Sequence, residues 1–511
     1  MLSTYPQICI SICESNCESV ARAMRDAGKH DGLFEIRLDC WAPDALKNLD
    51  PLRALLAACP QPTIVTFRAA AEGGRCDADY ETRLRFWRAK GLELPAKFVD
   101  LELDIAEQLI HEAGSVDWSR VICSYHNQVE VPAEFNQIFE RLAATPARVL
   151  KVAVRVNDAV DCLQVFDLLE QAKLAGREII AIGMGAAGVA TRILGPARGA
   201  FLTYASLADR RATAAGQISI EELTGVYRVE KISSETAITG LVGRPVGHSI
   251  SPQIHNAAYA SSQTDAVYLP FEVRYLKAFF KRMVHPRTRE IDWPMRGLSI
   301  TAPHKTKVLA ELDWIEPAAQ EIGAVNTVVV EDDRLCGYNT DASAFVEVLK
   351  NRLGSLGNAR VAIIGAGGAA SAALYSLKQE NARVTIFVRD MKKAKQFADR
   401  WAIESRDLED AVFADFDVVV NATPLGTSGE LENETPARAR QLRGARLAYE
   451  LVYNPAVTQF LREAQAAGCE TLAGLPMLLT QAARQFQLWT GRTANSDVMQ
   501  AAAIKALNSD I

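Results

Sequence analysis

The first 228 residues repeat one unit, a short apolar run followed by an amphipathic segment. The runs have the length and the β-branched content of strands, and the segments between them have helical spacing. Eight strand-then-helix units in this length predict a (β/α)8 barrel of the α/β class, and an open doubly wound sheet is the alternative. The predicted strands are Ile8–Cys13, Leu33–Leu38, Thr63–Arg68, Phe98–Leu103, Arg120–Tyr125, Val149–Ala153, Glu178–Ile182 and Ala200–Tyr204. The predicted helices include Cys17–Ala27, Asp44–Ala58, Tyr80–Lys90, Glu134–Ala143, Asp158–Ala175 and Ile220–Tyr227.

A barrel brings the carboxyl ends of its strands to one mouth, and polar residues occur at those ends in this sequence. They are Glu35, Arg37, Arg68, Glu72, Glu102, Ser124, His126, Lys151, Arg192, Thr213 and Gln217. Arginines suit a carboxylate, which they bind bidentately. A histidine suits proton transfer beside a carbonyl group. For Glu102 we favour a salt bridge across the top of the barrel.

Lys151 is the one charge inside the aliphatic strand Arg148–Arg155. It shares a strand face with Val149 and Ala153, so its ammonium must find a partner, reach a wet cavity or lose its proton. Burial favours the neutral amine, which is a nucleophile for carbonyl carbon and can form a Schiff base. The structural alternative is a lysine at a strand end whose ammonium reaches water.

Five motifs in this half resemble type I 3-dehydroquinate dehydratase. They are Glu-x-Arg-x-Asp (35–39), Phe-Arg with Glu-Gly-Gly (67–68 and 72–74), Ser-Tyr-His (124–126), Lys-x-Ala-Val (151–154) and Gly-Gln-Ile (216–218). The resemblance implies that Lys151 forms an imine with the C3 ketone of 3-dehydroquinate. It also implies that His126 moves a proton from C2 to the departing hydroxyl, with assistance from Glu72.

By the same resemblance, Arg68 and Arg192 would hold the substrate carboxylate. The ring hydroxyls would be bound by Ser11, Glu35, Arg37, Thr213 and Gln217. Ala215 stands where the family usually has proline, so we expect a less rigid loop over the site.

The second half follows a polar linker, residues 229–236, and carries several polar motifs at strand and helix ends. Ser249 and Ser251 flank one residue before a helix, where hydroxyls cap the helix or bind a small polar ligand. Thr301 and Lys305 follow an apolar strand, Asn326 precedes another, and Asp341 opens a helix.

Residues 360–388 combine a strand, the glycine-rich turn Gly365-Ala-Gly-Gly-Ala-Ala370, a helix and a second strand. This order predicts a nucleotide-binding fold with helix amides facing a pyrophosphate; a purely structural turn is the alternative. Arg389 and Lys393 after the second strand favour the 2′-phosphate of NADP, whereas Asp390 favours NAD.

Together with Ser249-x-Ser251 and Lys305, later motifs resemble shikimate dehydrogenase across residues 237–511. The later motifs are Asn421–Gly426, Tyr449–Pro455, Gly474–Gln481 and Trp489–Gly491. The resemblance implies a Lys305–Asp341 catalytic dyad that completes hydride transfer from NADPH. Substrate contacts would come from Ser249, Ser251, Thr301, Asn326, Asp341 and Gln481, and cofactor contacts from Gly365, Ala366, Gly367, Gly368, Ala369, Arg389, Lys393, Leu451, Tyr453 and Gly474. Val388-Arg389-Asp390 departs from the family's Asn-Arg-Thr/Ser, and Ala342 stands where glycine is frequent.

The two resemblances predict a bifunctional enzyme in which the first half makes the 3-dehydroshikimate that the second half reduces. A quinate dehydrogenase in the second half and a non-catalytic sensor are the alternatives. The predicted domains are 1–228 (barrel), 237–340 with 474–511 (substrate domain) and 341–473 (NADP-binding Rossmann domain).

The bulk composition is that of an ordinary globular chain, with 49% hydrophobic residues and a net charge of −6. We therefore expect small-molecule substrates and neither nucleic-acid nor membrane partners. The ten cysteines lack metal-ligand spacing, which predicts free thiols, no metal and a reducing cytoplasmic location. The sequence gives no prediction of oligomeric state.

Overall fold

The computed structural model describes residues 7–27, 30, 32–42, 44–112, 116–207, 214 and 216–509, with backbone alone at 7, 391–394, 396 and 509. The chain divides into two compact units. The first unit comprises Met1–Thr236 with Leu269–Met283 and Glu290–Pro294. The second unit comprises Ala237–Tyr268, Val284–Arg289 and Met295–Ile511.

The first unit is built on a parallel sheet whose strands follow one another in chain order, β7-β6-β5-β4-β3-β2-β1-β8-β9. Strand β1 pairs with both β2 and β8, and the Phe201 amide at the start of β8 donates to Ile179 O in β7. Strands in chain order, with β8 joined to both β1 and β7, confirm the barrel and exclude the open doubly wound alternative, in which the strand order reverses at a switch point. The strands are β1 Gln7–Ile12, β2 Leu33–Arg37, β3 Thr63–Thr66, β4 Phe98–Glu102, β5 Val121–Asn127, β6 Val149–Arg155, β7 Glu178–Met184, β8 Leu202–Ser206 and β9 Ile218–Ser219.

The helices of this unit that follow its strands are α1 Cys17–Ala27, α2 Asp50–Ala58, α3 Tyr80–Ala89, α4 Leu103–Ile110, α5 Phe135–Ala144, α6 Cys162–Leu174 and α7 Val189–Leu194. One predicted helix is wrong in extent. The segment predicted as Asp44–Ala58 is helical only from Asp50, because Pro51 fits the first turn of a helix and not its interior. The segment predicted as Ile220–Tyr227 is helical over residues 220–226, where Glu222–Val226 form a π-turn.

The side chains that fill the barrel interior change from apolar to polar over two residues along each of six strands. Its apolar floor includes Cys9, Leu33, Ile64, Phe98, Ile122 and Val149. Two residues further along the same strands stand Ser11, Glu35, Thr66, Asp100, Ser124 and Lys151, all buried. Because residues i and i+2 share a strand face, these six side chains occupy the interior directly above the floor. We call this set the polar layer.

The second unit contains two sheets. The first sheet has the order β11-β10-β12-β14-β15-β13. Its strands are β10 Ala237–Gly243, β11 Ala266–Glu272, β12 Met295–Ile300, β13 Trp314–Ile315, β14 Thr327–Glu331 and β15 Arg334–Tyr338. The helices of this unit near these strands and at the C-terminal end are α8 Ser251–Ser261, α10 Pro317–Ile322, α11 Thr340–Leu353, α16 Leu475–Thr490 and α17 Ser496–Ser509, whereas α9 Leu276–Phe279 belongs to the first unit.

The other sheet is parallel, with the order β18-β17-β16-β19-β20-β21. Strand β16 is central, and the glycine-rich turn follows its carboxyl end, where the strand order reverses. That switch point is where doubly wound sheets bind dinucleotides. The strands are β16 Arg360–Ile364, β17 Arg383–Val388, β18 Glu404–Asp407, β19 Val418–Asn421, β20 Leu447–Glu450 and β21 Glu470–Leu472; the helices are α12 Gly368–Gln379, α13 Met391–Trp401, α14 Ala439–Leu442 and α15 Gln459–Ala466. Within the described ranges, none of the helices has the length and apolar character needed to cross a membrane.

Candidate active sites

Lys151 lies on β6 in the polar layer, and its side chain is 5% exposed. Its Nζ is 2.9 Å from Asp100 Oδ2, 3.2 Å from Glu35 Oε1 and 2.9 Å from the Tyr204 hydroxyl. The structural alternative, an ammonium that reaches water, is therefore wrong. All three groups that contact this amine come from strands other than β6, which explains why the neighbours of Lys151 in sequence did not reveal them.

His126 lies on β5, the neighbour of β6, and its ring contacts a carboxylate. Its Nδ1 is 3.1 Å from Glu72 Oε2, which also accepts the His126 amide. Burial and the nearby cations Arg68 and Lys151 lower the pKa of His126 well below its ordinary value. The imidazole is therefore neutral near pH 7 and can accept a proton.

Glu72 is positioned to exchange a proton with this ring. Burial raises the pKa of Glu72 to about 8; Arg68 opposes that shift, and the carboxylate of Glu102 reinforces it. A carboxyl group that titrates in this range can give a proton to, or take one from, the His126 ring near neutral pH.

The three predicted arginines of the mouth are all buried. Arg68 donates to Asp100 Oδ1 at 2.9 Å and to Ser124 Oγ at 2.8 Å. Arg37 forms a bidentate pair with Asp39, at 2.8 Å for both contacts. Arg192 lies on α7, and burial lowers its pKa to about 10. Glu102 pairs with Arg83 and accepts the Ala69 amide at 2.7 Å, which confirms the predicted salt bridge.

In the second unit, Lys305 and Asp341 form a close ion pair. Lys305 Nζ donates to Asp341 Oδ2 at 2.5 Å, and Asn326 donates to the other carboxylate oxygen at 2.8 Å. Asn326 also donates to Thr340 Oγ1 at 2.9 Å and accepts the Thr340 amide. Asn326 thus fixes Asp341 at the start of α11 and leaves Lys305, 22% exposed, as the accessible member.

The paired serines lie beside a tyrosine at the start of α8. Ser249 Oγ accepts the Ser251 amide at 3.2 Å and lies 3.1 Å from Ser251 Oγ. The Tyr453 hydroxyl is 3.5 Å from Ser249 Oγ. Ser249 therefore satisfies a backbone amide of this helix end, which is the structural alternative, and the three hydroxyl groups still form one polar cluster.

The glycine-rich turn passes close to Lys305. Gly365 has a φ of +117°, a conformation that favours glycine, and a Cβ added to Gly368 would lie 3.4 Å from Lys305 Cβ. A Cβ at Gly367 would meet no heavy atom within 4 Å, so the backbone at the start of α12 borders open space. The turn therefore fits a dinucleotide, whose phosphates bind helix N-terminal amides.

Family models match nearly the whole chain. The models are Type I 3-dehydroquinase at residues 8–234, the shikimate dehydrogenase substrate binding domain at 241–328, Shikimate / quinate 5-dehydrogenase at 347–443 and the Shikimate 5'-dehydrogenase C-terminal domain at 474–504. The chain is also 32% identical, over 91% of its own length and 79% of the relative, to the bifunctional 3-dehydroquinate dehydratase/shikimate dehydrogenase, chloroplastic, of Arabidopsis thaliana.

The chain belongs to the bifunctional 3-dehydroquinate dehydratase/shikimate dehydrogenase family. It is also 40% identical over 53% of its length to a shikimate dehydrogenase (NADP(+)) of Desulforamulus reducens, covering 95% of that protein. A crystal structure of shikimate dehydrogenase in complex with NADP+ matches 53% of the chain and 96% of the solved one, with a TM-score of 0.50 and 34% identity. The prediction of a bifunctional shikimate-pathway enzyme is confirmed, which contradicts the sensor alternative. The family model at residues 347–443 is described for shikimate and quinate alike, so the preference for shikimate over quinate stays a prediction.

The dehydratase half brings together most of its predicted residues. Ser11 donates to Glu35 at 2.6 Å, and Glu35 contacts Lys151. Thr213 lies outside the described residues, as does Ala215 in the same loop. Gln217 is described, and its amide donates to Ala214 O at 3.2 Å. The substrate roles given to these residues stay predictions.

The dehydrogenase half places its predicted cofactor residues at separate strand ends. Arg389 is exposed just after β17, and Lys393 lies on α13 with its side chain outside the described set. Gly474 packs against the segment that contains Leu451 and Tyr453, since a Cβ there would lie 2.5 Å from Val452 O. Gln481 is buried on α16 and donates to Leu478 O, and Thr301 follows β12.

Sequence reasoning missed three buried residues that contact the predicted sites. Asp100 and Tyr204 contact Lys151, and Gln485 binds Asn326 O and Thr327 Oγ1 from α16. Asp100 stands two residues before Glu102 on the same strand face, so strand parity was the signal that could have found it. The Gln485 contacts bridge distant parts of the chain, and no local pattern marks them.

One prediction about the cysteines is wrong. Cys13 and Cys40 form a disulfide, although their sequence separation is 27 residues. Strands β1 and β2 are adjacent, with Ile12 paired to Ile36, so residues just beyond their ends meet. The free-thiol argument for a reducing cytoplasm therefore fails for this pair. The other eight cysteines carry no disulfide.

Proposed function

We propose that the chain dehydrates 3-dehydroquinate through a Schiff base on Lys151 and reduces the resulting 3-dehydroshikimate to shikimate with NADPH. The observation that carries the first step is the buried amine of Lys151, on the strand next to that of His126. His126 is neutral near pH 7 and therefore fit to take the C2 proton. Glu72 Oε2 contacts His126 Nδ1 and also accepts the backbone amide of His126, and these two contacts orient the ring.

Borohydride reduction in the presence of 3-dehydroquinate tests the covalent step. Reduction converts an imine into a stable secondary amine, so peptide mass mapping should find one adduct, on Lys151. The matched control is Lys97, another lysine of the first unit, which should remain unmodified. An adduct on a different lysine, or none, would refute the Schiff-base assignment.

For the second step, Lys305 is the proposed proton donor to the carbonyl oxygen and Asp341 its partner. Their 2.5 Å contact, fixed by Asn326, orients the ammonium beside the glycine-rich turn. NADPH bound at that turn supplies the hydride. Gly365 through Ala369 would hold its phosphates, and Arg389 would contact the 2′-phosphate.

The cofactor preference is tested by comparing kcat/KM for NADPH and NADH in the intact chain and in Arg389→Ala. An arginine that binds the 2′-phosphate should give the variant a loss of about 10-fold or more with NADPH and little change with NADH. Equal losses of kcat/KM with NADPH and with NADH would show that Arg389 does not bind the 2′-phosphate. A comparison of kcat/KM for shikimate and for quinate in the same assay tests which of the two is the preferred substrate of the second half.

A further inference from the structure

Asp100 is one of the two carboxylates of the polar layer, and neither the sequence motifs nor their resemblance assigned it a role. Its side chain is fully buried on β4. Oδ2 pairs with Lys151 Nζ at 2.9 Å. Oδ1 accepts from Arg68 at 2.9 Å and from Ser124 at 2.6 Å. Three donors from three different segments therefore fix both of its oxygens.

The chemistry at Lys151 needs a lasting negative charge at this position. An ammonium and a ketone combine to give an iminium and water, so the nitrogen carries one positive charge before and after the condensation. A buried cation requires a paired anion in both states. We propose that Asp100 is the counter-ion of the Schiff-base nitrogen: it holds Lys151 before the reaction and pairs with the iminium N–H afterwards. This role rests on the proposed Schiff base.

Asp100 suits this role better than Glu35, the other carboxylate that contacts Nζ. Glu35 Oε1 is 3.2 Å from Nζ and also accepts from Thr66 at 3.0 Å. By resemblance, Glu35 is also expected to bind a substrate hydroxyl, which would divide its hydrogen bonds further. Both carboxylates keep their charge in the barrel interior: burial would raise the pKa of each, but Lys151 and Arg37 lower that of Glu35, and Arg68 and Lys151 lower that of Asp100. The shorter contact with Nζ and the absence of an expected substrate contact therefore favour Asp100.

The test is the rate of borohydride trapping at saturating 3-dehydroquinate in full-length Asp100→Asn. Asparagine keeps the shape and removes the charge, so we expect trapping and kcat to fall about 100-fold, with KM changed less than about threefold. Asp158→Asn is the matched control: it removes a buried carboxylate of the same unit that accepts the backbone amides of Val160, Arg274 and Tyr275 and does not touch Nζ. Trapping in that variant should fall less than about threefold.

Shikimate dehydrogenase activity and the thermal unfolding of the same chains report folding of the two units. If Asp100→Asn does not fold, Ser124→Ala replaces it, because it loosens Asp100 Oδ1 without removing the carboxylate; trapping should then fall about threefold to tenfold. Unchanged trapping in the folded variant, or equal losses in Asp100→Asn and Asp158→Asn, would overturn the proposal. Absence of an adduct on Lys151 in the unaltered protein would instead overturn the proposed function.

Discussion

The two lysines with proposed catalytic roles, Lys151 and Lys305, have different surroundings. Lys151 stands on a strand, 5% exposed, between two carboxylates and over the ring of Tyr204 at 4.3 Å. Lys305 stands beyond the end of β12, 22% exposed, against the single carboxylate of Asp341. A side chain that forms a covalent bond to substrate benefits from fixed partners on several sides, whereas one that donates a proton needs access to two ligands. The difference in surroundings therefore matches the difference in proposed chemistry.

The largest expected effect is the loss of dehydratase activity when Lys151 is replaced and Lys305 is kept. Lys151→Met should lower dehydratase kcat by at least about 10⁴-fold, because no other group can form the covalent intermediate. Dehydrogenase activity, assayed on 3-dehydroshikimate in the same preparation, should stay within twofold of the unaltered chain, about 0.4 kcal/mol in activation free energy. Residual dehydratase activity above one per cent would mean that Lys151 is not the nucleophile.

Replacing the second lysine should give the reciprocal pattern. Lys305→Met should lower dehydrogenase kcat by about 10² to 10⁴-fold, the usual contribution of one acid catalyst, and leave the dehydratase assay unchanged. Because Lys305 and Asp341 act as one unit, adding Asp341→Asn should cost little more than the first change alone. Fully additive losses would break the dyad assignment.

The disulfide between Cys13 and Cys40 should stabilise the first unit, and no disulfide is described in the second. The bond closes a loop of 27 residues in the first unit, and the chain-entropy relation gives about 3.5 kcal/mol for a loop of this length. Cys13→Ser should lower the free energy of unfolding of the first unit by up to about that amount, measured by denaturant titration. Cys17→Ser, which removes an unbonded thiol, is the control. Equal effects of the two changes would mean that Cys13 and Cys40 are not joined in solution.

A buried glutamate gives the second unit its own pH dependence. Glu450 accepts from Asn421, Val452 and Thr458, and burial raises its pKa to about 7 from 4.5. The folded state thus holds a proton that the unfolded state releases. The stability gained is fully present below pH 4.5 and is lost as pH rises through 7, by about 3 kcal/mol in all.

Glu450→Gln removes this titration, so its stability relative to the unaltered chain should improve by about 3 kcal/mol between pH 4 and pH 8. Denaturant titrations at the two pH values, followed by dehydrogenase activity, measure the change. A difference that does not vary with pH would show that the pKa of Glu450 is the same in the folded and the unfolded protein.

Local patterns determined much of this protein. Alternation of apolar runs with amphipathic segments gave the barrel, because strand and helix periods are properties of short segments. The motifs around His126, Lys151 and Lys305 indicated the bifunctional family that the comparisons confirm, because few residue types suit such sites. Even the helix starting at Cys17 and ending at Ala27 was predicted with its observed bounds.

Only the tertiary structure decided which charges meet. Lys151 has aliphatic neighbours along its strand, and its partners Glu35, Asp100 and Tyr204 come from three other strands at separations of 116, 51 and 53 residues. Cys13 and Cys40 likewise meet because β1 and β2 pair in register. Pairing between strands is set by closure of the whole barrel, and burial then makes each contact strong, so neither is written in any short stretch of the chain.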